Sequence, residues 1–401
     1  MATALLAIIA LGLVFSLAIG TWGIRGTLLT VTLVTYLLPQ TQLPLPFDSR
    51  GIGLAAISLL ILHSAGSGGG RALAPVPWQV LAPFAFLLLS ALWSLGTGSS
   101  IAVQALFVVA LLGLVAVPFS EGELKWSIIA WGGAIGLLTV WLGVTDPSAL
   151  QAGERLRGVM SNANGLALAA VICLPAMWTS GRFASWVATP AAFMTVWFTG
   201  ARSALAAVVA QIILLVMGRM RILGRVLAAL SLIVGAIYAV PQILAAAASS
   251  GAGSSSVLRS NNSRTGVWQA SLERIREAPV VGTGLGSLTS DFEPGSSIFS
   301  IMILSGLIGL AITVVCVGSV LTHGARAVGL GDWRLALVVG ALINALFEGW
   351  LVTAGTPAAL IFWLTCSQIA RRRALDGADS QAGRPTSDLG PRHTASPGRT
   401  P

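Results

Sequence analysis

Between Met1 and Ala370 the chain is a succession of apolar runs, each about as long as a bilayer is thick, interrupted at length only by a polar segment at residues 249–295. A helix needs about 20 mostly apolar residues to cross a hydrocarbon core. Inside lipid, only helices and closed barrels satisfy their own backbone polar groups. Barrel strands alternate polar and apolar residues; these runs do not, so the pattern selects a helical bundle. Charged residues make up only 9% of the chain, against about 25% in soluble domains. That is too little charge to coat a water-facing surface of this size.

The runs give candidate spans at 2–20, 26–42, 51–66, 77–96, 101–119, 125–145, 162–180, 184–200, 202–218, 224–247, 296–321, 334–353 and 355–370. The fold class is therefore an all-α polytopic integral membrane protein of twelve or thirteen transmembrane helices, twelve if one early span is re-entrant or wrongly split. The transmembrane domain covers 1–370, with one long extracytoplasmic loop at 249–295. A tail at 371–401, rich in Pro, Gly, Ser, Thr and Asp beyond its basic start, has too little apolar content to fold. The first run lacks a basic flank and a cleavage site and reads as a retained helix.

The net charge of +9 is no sign of nucleic-acid binding. Much of it lies in short links and at Arg371, Arg372 and Arg373, as in cytoplasmic loops that fix orientation. The links carrying Arg219, Arg221 and Arg225, and Arg326 and Arg334, join that tail on the cytoplasmic side. The 249–295 segment, the 146–161 link and the turn Thr199-Gly200-Ala201-Arg202 then lie outside. Thirteen spans put the N-terminus outside as well, and twelve put it inside.

Cys173, Cys316 and Cys366 sit in apolar runs and read as small buried hydrophobes. His63, His323 and His393 are scattered, with none in an exterior link. Nothing supports a metal site, a Ser-His hydrolase or a bound cofactor.

In the long loop, Gly251–Ser256 reads as a hinge. Ser263 reads as the cap of a helix from Arg264 to Glu277 with an apolar stripe of Val267, Trp268, Leu272 and Ile275. That helix is expected along the membrane surface, Trp268 at headgroup level. Pro279 ends it. Gly282-Thr283-Gly284-Leu285-Gly286 neither follows a strand nor opens a helix of a parallel-sheet unit, so it is no dinucleotide loop. It reads as a tight turn that lets backbones approach.

Arg155, Arg157, Arg202 and Arg264 all fall on the outer face, against the positive-inside bias. Guanidinium forks suit bidentate binding of a phosphate or diphosphate; the alternative is arginines snorkelling to lipid phosphates. Asn162 can cap the helix that follows it, whose amide N–H groups favour anions. Glu348, near the outer end of the twelfth run, either pairs with an exterior arginine or stands at the water boundary.

Several stretches in this order resemble the O-antigen ligase and polymerase family of bacterial envelope polysaccharide enzymes. They are Arg155-Leu156-Arg157-Gly158 through Asn162-Ala163-Asn164-Gly165-Leu166-Ala167; Thr199-Gly200-Ala201-Arg202-Ser203-Ala204-Leu205; Ser263-Arg264-Thr265-Gly266-Val267-Trp268; Pro279 to Gly286; and Ser305-Gly306-Leu307-Ile308-Gly309-Leu310. Asn344-Ala345-Leu346-Phe347-Glu348 matches the family's late acidic position. The match covers roughly 155–355.

The resemblance implies an enzyme of the bacterial inner membrane. It would move a glycan from a polyprenyl diphosphate carrier onto an acceptor glycan or lipid, without a metal, as polymerase or ligase. It would work with other polysaccharide-assembly proteins. Arg157, Arg202 and Arg264 would hold the carrier diphosphate and Glu348 would orient one of them. Arg155, Asn162, Asn164 and Trp268 would contact substrate.

The chain departs from the family at Gly295 and Ser296, where a His-Asn pair is usual, and at Leu304, where an acid is usual. Glu154, Asp291 or Glu293 are the substitutes for the missing base. A non-catalytic binder of lipid-linked glycan is one alternative. A transporter is another, and would need charged or broken helices near the membrane midplane.

Overall fold

The computed structural model describes residues 23–42, 50–66, 73–152, 155–220, 265–288, 292–353 and 355–382. The spans expected at 2–20 and 224–247, the hinge at 251–256, Ser263, Arg264, Glu154 and Asp291 lie outside these residues.

The described chain is predominantly helical. Helix α1 covers 23–37 and is followed by α2 (Arg50–Gly66), α3 (Trp78–Leu89), α4 (Gly98–Ala116), α5 (Glu121–Thr145), α6 (Ala163–Trp178), α7 (Arg182–Thr199) and α8 (Arg202–Met217). Beyond 264 come α9 (Thr265–Glu277), α10 (Ser297–Ala327), α11 (Trp333–Ala345) and α12 (Pro357–Ala382). Helices α4, α5 and α10 are long and apolar enough to cross a membrane. On α7, Phe183 and Trp186 are 84% and 79% exposed. An aromatic face that bare suits lipid rather than water.

Contacts between links sort the helix ends into two sets. At one end, Arg25 donates to Pro118 O and faces Glu123. There Trp333 Nε1 bonds Glu121, Gln368 bonds Phe119 and Ser120 carbonyls, and Arg371 bonds Val115 O. The backbones of Gly218 and Gly331 also meet at this end. Arg334, buried to 4% exposure, chelates Asp332 and reaches Glu121.

At the opposite end, Thr41 bridges Met160, Arg155 reaches Thr199, Ser203 meets Asn344 and Ser297 meets Glu348. A two-stranded ribbon, Gln151–Ala152 with Arg155–Leu156, also lies here, in the link after α5. The described residues form two apolar clusters, a smaller one among α6, α7 and α8 and a larger one that joins most of the bundle. Its centre includes Trp363, fully buried, edge-on to Phe84 and Phe362 with ring centroids 5.0 and 5.1 Å away.

Four features differ from the sequence expectations. The buried stripe of α9 runs through Ser271 and Ile275, with Val267 and Trp268 half-buried, while Leu272 is exposed. Helix α11 stops at Ala345 rather than continuing to 353, so Glu348 stands on an irregular link. Helix α12 runs beyond Arg371 to Ala382, so helix continues into the segment expected to be disordered tail.

The fourth difference concerns α10. It is broken at Gly306, whose φ of 64° and ψ of −165° are not helical. The break is roughly 14 Å along the axis from Ser297 at 1.5 Å per residue. Residues 279–287, expected in the surface loop, fill it. Thr283 and Gly284 N–H groups donate to Ile303 and Leu304 carbonyls, while Leu307 and Ile308 N–H groups donate to Pro279 and Val280 carbonyls. The other flank of this segment is held by α3 and the turn after it. Ser90 Oγ accepts from Leu285 N, Ser94 Oγ donates to Leu285 O, and Leu95 N donates to Thr283 O. Irregular backbone at membrane depth persists only when protein covers it and its polar groups are bonded. These hydrogen bonds meet that condition.

Candidate functional site

The α6 start is the anchor of the site. Gly158 turns the chain with a φ of 58°. The link is stitched to the end of α1: Gln42 Nε2 donates to Gly158 O at 2.7 Å and Ser161 N to Gln40 O at 2.9 Å. Asn162 takes the extended conformation of an N-cap. Its Oδ1 accepts from Asn164 N at 2.8 Å and its carbonyl from Gly165 N at 3.1 Å.

The link from 346 to 356 supplies a second wall. Ser297 Oγ donates to Glu348 O at 2.6 Å and accepts from Leu351 N at 3.1 Å. Trp350 Nε1 donates to Asn344 Oδ1 at 3.0 Å, and Asn344 Nδ2 reaches Ser203 Oγ at 3.4 Å. The link is thereby fixed between α8 and α10. Glu348 is 8% exposed, so it is not the solvated boundary residue that its position near the end of an apolar run allowed.

Between these walls is a cavity of about 600 Å³, within the range of small-ligand pockets, about 300–1,000 Å³. Asn162, Asn164, Glu293 and Glu348 line it, with Gln40, Gln104, Thr353 and Thr356. Its apolar surface comes from Tyr36, Phe107, Leu168, Leu285, Leu304 and Trp350, among others. Leu304, where the resemblance led to an expected acid, faces the cavity as a hydrocarbon.

Of the expected arginines, Arg155, Arg157 and Arg202 stand outside the lining, and Arg264 lies outside the described residues. Arg155 is half-buried behind Asn164: its Nη2 donates to Asn164 Oδ1 at 2.6 Å and its Nε to Thr199 O at 2.6 Å. Arg157 is half-buried, its backbone N bonded to Leu150 O at 2.8 Å. Arg202 opens α8 and is exposed. The contact through Thr199 puts Arg155 beside the α7–α8 turn, so Arg155 and Arg202 share one end of the bundle. Among the described residues lining the cavity, Glu293 and Glu348 carry the charge, and both are acids.

Trp268 does not line the cavity. Its ring packs edge-on against Phe299, with centroids 6.1 Å apart, and closes over Gly295. Apolar stacking against the start of α10 holds it there. Gly295 has a φ of 65°, and a Cβ there would sit 3.3 Å from Val267 Cγ1. Ser296 caps α10, accepting from Ile298 N at 3.2 Å. The His-Asn positions are therefore taken by a turn and a cap.

Gln104 was not singled out from the sequence, although a carboxamide inside the apolar run of α4 is a usable signal. Tyr36 and Trp350 carried no signal, since aromatic residues in spans are ordinary. No family model matches this chain, and no curated protein is significantly similar to it.

Proposed function

We propose that this protein is a metal-independent membrane glycosyltransferase of the polysaccharide polymerase or ligase type. It would act on the outer face of the bacterial cytoplasmic membrane and move a glycan from a polyprenyl diphosphate carrier to an acceptor sugar. The observation that carries this reading is the convergence, at one helix end, of Arg155 and Arg202 with a cavity lined by Asn162, Asn164 and Glu348. The opposite end gathers Arg25, Arg219, Arg334 and Arg371, the bias of a cytoplasmic face.

In this reading the acceptor hydroxyl oxygen attacks the anomeric carbon and the bond from that carbon to the diphosphate oxygen breaks. The hydroxyl proton passes to a carboxylate, Glu348 or Glu293. The negative charge on the departing diphosphate would be met by Arg157 and Arg202, with Arg264, outside the described residues, as the third expected cation; positive charge placed there lowers the barrier. The carrier's isoprenoid tail stays in lipid.

Deleting the gene and analysing the surface glycan tests the proposal. Single-repeat glycans mark a polymerase, and full-length chains stranded on the carrier mark a ligase. An unaltered surface glycan overturns it.

One observation favours a second reading, a binder of lipid-linked glycan without turnover. Gly295, where the resembled family carries its histidine, has a φ of 65°, a conformation that side-chain-bearing residues rarely adopt. Purified protein that retains a carrier-linked glycan without consuming it would select this reading. A transporter gains some support from the broken α10. However, the break is closed by residues 279–287, and the residues bonded across it are not ionisable.

A further inference from the structure

We propose that the cavity is a subsite for a neutral sugar, read by the NH₂ groups of Gln104, Asn162 and Asn164 on one side and by the carboxylates of Glu293 and Glu348 on the other. The proposal rests on the reading that the protein handles a lipid-linked glycan, and it names the sugar class that the site accepts.

It starts from the direction of three carboxamides. Gln104 Oε1 accepts from Gly286 N at 3.1 Å, Asn162 Oδ1 from Asn164 N at 2.8 Å, and Asn164 Oδ1 from Arg155 Nη2 at 2.6 Å. Carboxamide oxygen and nitrogen are hard to tell apart by shape, and their assignment follows the hydrogen-bond network. Here the network allows one answer, because a backbone N–H and a guanidinium only donate. Each oxygen is committed inside the protein. No acceptor among the described residues meets the three NH₂ groups. All three residues line the cavity.

The cavity therefore presents donors from α4 and the α6 start, and acceptors from the segments before α10 and after α11. A diphosphate would suit the donors but be repelled by two carboxylates, with no arginine, lysine or histidine among the described lining residues. An isoprenoid tail would bury the NH₂ groups without acceptors, at about 1–3 kcal/mol each. A sugar hydroxyl both donates and accepts, so a polyol satisfies both walls. Its C–H faces fit the apolar surface of Tyr36, Phe107 and Leu285. A uronic or phosphorylated sugar would bring its charge against Glu293 and Glu348. Arg155 is then a positioning residue that points the Asn164 NH₂ group inward, rather than a group that touches substrate.

The test replaces each NH₂ by oxygen while keeping the committed acceptor: Asn162→Asp, Asn164→Asp and Gln104→Glu. Saturation-transfer NMR on purified wild-type protein in nanodiscs would use neutral trisaccharides of glucose, galactose, mannose and N-acetylglucosamine, with pyrophosphate as competitor. At least one trisaccharide should receive saturation. Pyrophosphate should not displace it, and the variants should bind about tenfold more weakly or worse, as expected for lost hydrogen bonds to a desolvated ligand. Melting temperatures should hold, because the N-cap and the Arg155 contact both survive in the Asp variants.

The proposal is overturned by wild-type binding in all three variants, by displacement with pyrophosphate, or by absence of binding to every trisaccharide. If Asn164→Asp fails to fold, Asn162→Asp and Gln104→Glu carry the test from separate helices. The binding assay requires no turnover. An unaltered surface glycan after gene deletion would sink the transferase while leaving the subsite standing.

Discussion

Arg155 holds Asn164: its Nη2 lies 2.6 Å from Asn164 Oδ1 while its Nε donates to Thr199 O, also at 2.6 Å. One guanidinium thus ties the ribbon after α5 to the start of α6 and the end of α7, and fixes which face of an amide looks into the cavity. A lysine cannot repeat that fork. Arg155→Lys should lower thermal stability by about 1–3 kcal/mol, the cost of leaving one of the two acceptors unmet. It should also weaken glycan transfer by about tenfold or more, as the released Asn164 amide rotates. Unchanged melting and unchanged transfer would show that the pair does not position the site.

Glu348 is buried, and its main-chain carbonyl is held by Ser297. Glu348→Gln keeps the shape and that hydrogen bond. If the carboxylate takes the acceptor proton, transfer should fall by about 10²–10⁴-fold, the usual contribution of a general base. Melting should change little. A fall confined to glycan affinity, with the rate at saturation intact, would assign Glu348 to binding and leave the proton to Glu293.

The break in α10 predicts a sharp contrast between two glycines of one helix. Gly306 has a φ of 64°, and a Cβ there would collide with the Val280 carbonyl; Gly318 has nothing within 4 Å. Gly306→Ala should lose about 1–3 kcal/mol from backbone strain alone, and more as residues 279–287 are pushed out. Gly318→Ala should be neutral or gain about 0.5–1 kcal/mol. Thermal unfolding in one detergent compares them, and equal melting temperatures would refute the packing of residues 279–287 into the break.

Introducing the His-Asn pair of the resembled family at Gly295 and Ser296 is predicted to fail. Ser296→Asn alone should be tolerated, because Asn is about as good an N-cap as Ser. Gly295→His forces a side chain into a φ of 65° and against Val267, costing about 1–3 kcal/mol. The double variant should melt lower and show no gain of transfer in an assay with the carrier-linked glycan. A gain would identify the site as a degenerate ligase.

At the opposite end, Arg334 meets Asp332 at 2.7 Å and Glu121 at 3.5 Å. Arg334 and Asp332 are 5% and 12% exposed in their side chains, whereas Glu121 is 49% exposed. Removing one partner of a buried pair costs about 3–5 kcal/mol, while an exposed pair contributes about 0–1 kcal/mol. Arg334→Ala should therefore destabilise strongly and Glu121→Gln hardly at all. Comparable shifts in melting temperature would contradict this ranking.

Hydropathy located most of the described helices, because a bilayer imposes one requirement on every spanning segment: its backbone bonds internally and its side chains tolerate hydrocarbon. Helices α2, α5 and α6 lie close to the runs expected at 51–66, 125–145 and 162–180. That requirement is local, so it can be read from a window of sequence. It is silent where a segment is shielded by other protein. Residues 279–287 look like a surface loop, yet they complete a helix beginning eighteen residues after Pro279.

The grouping of Arg155, Asn162 and Asn164 was also legible, since they are neighbours in the chain. What only the tertiary structure decided is the cavity and the direction of its amides. Gln104 and Gly286 are 182 residues apart, and the orientation of a carboxamide is set by whichever donor arrives beside it. Composition records that a polar group is present. Which of its two atoms faces a ligand depends on a partner brought in by the fold.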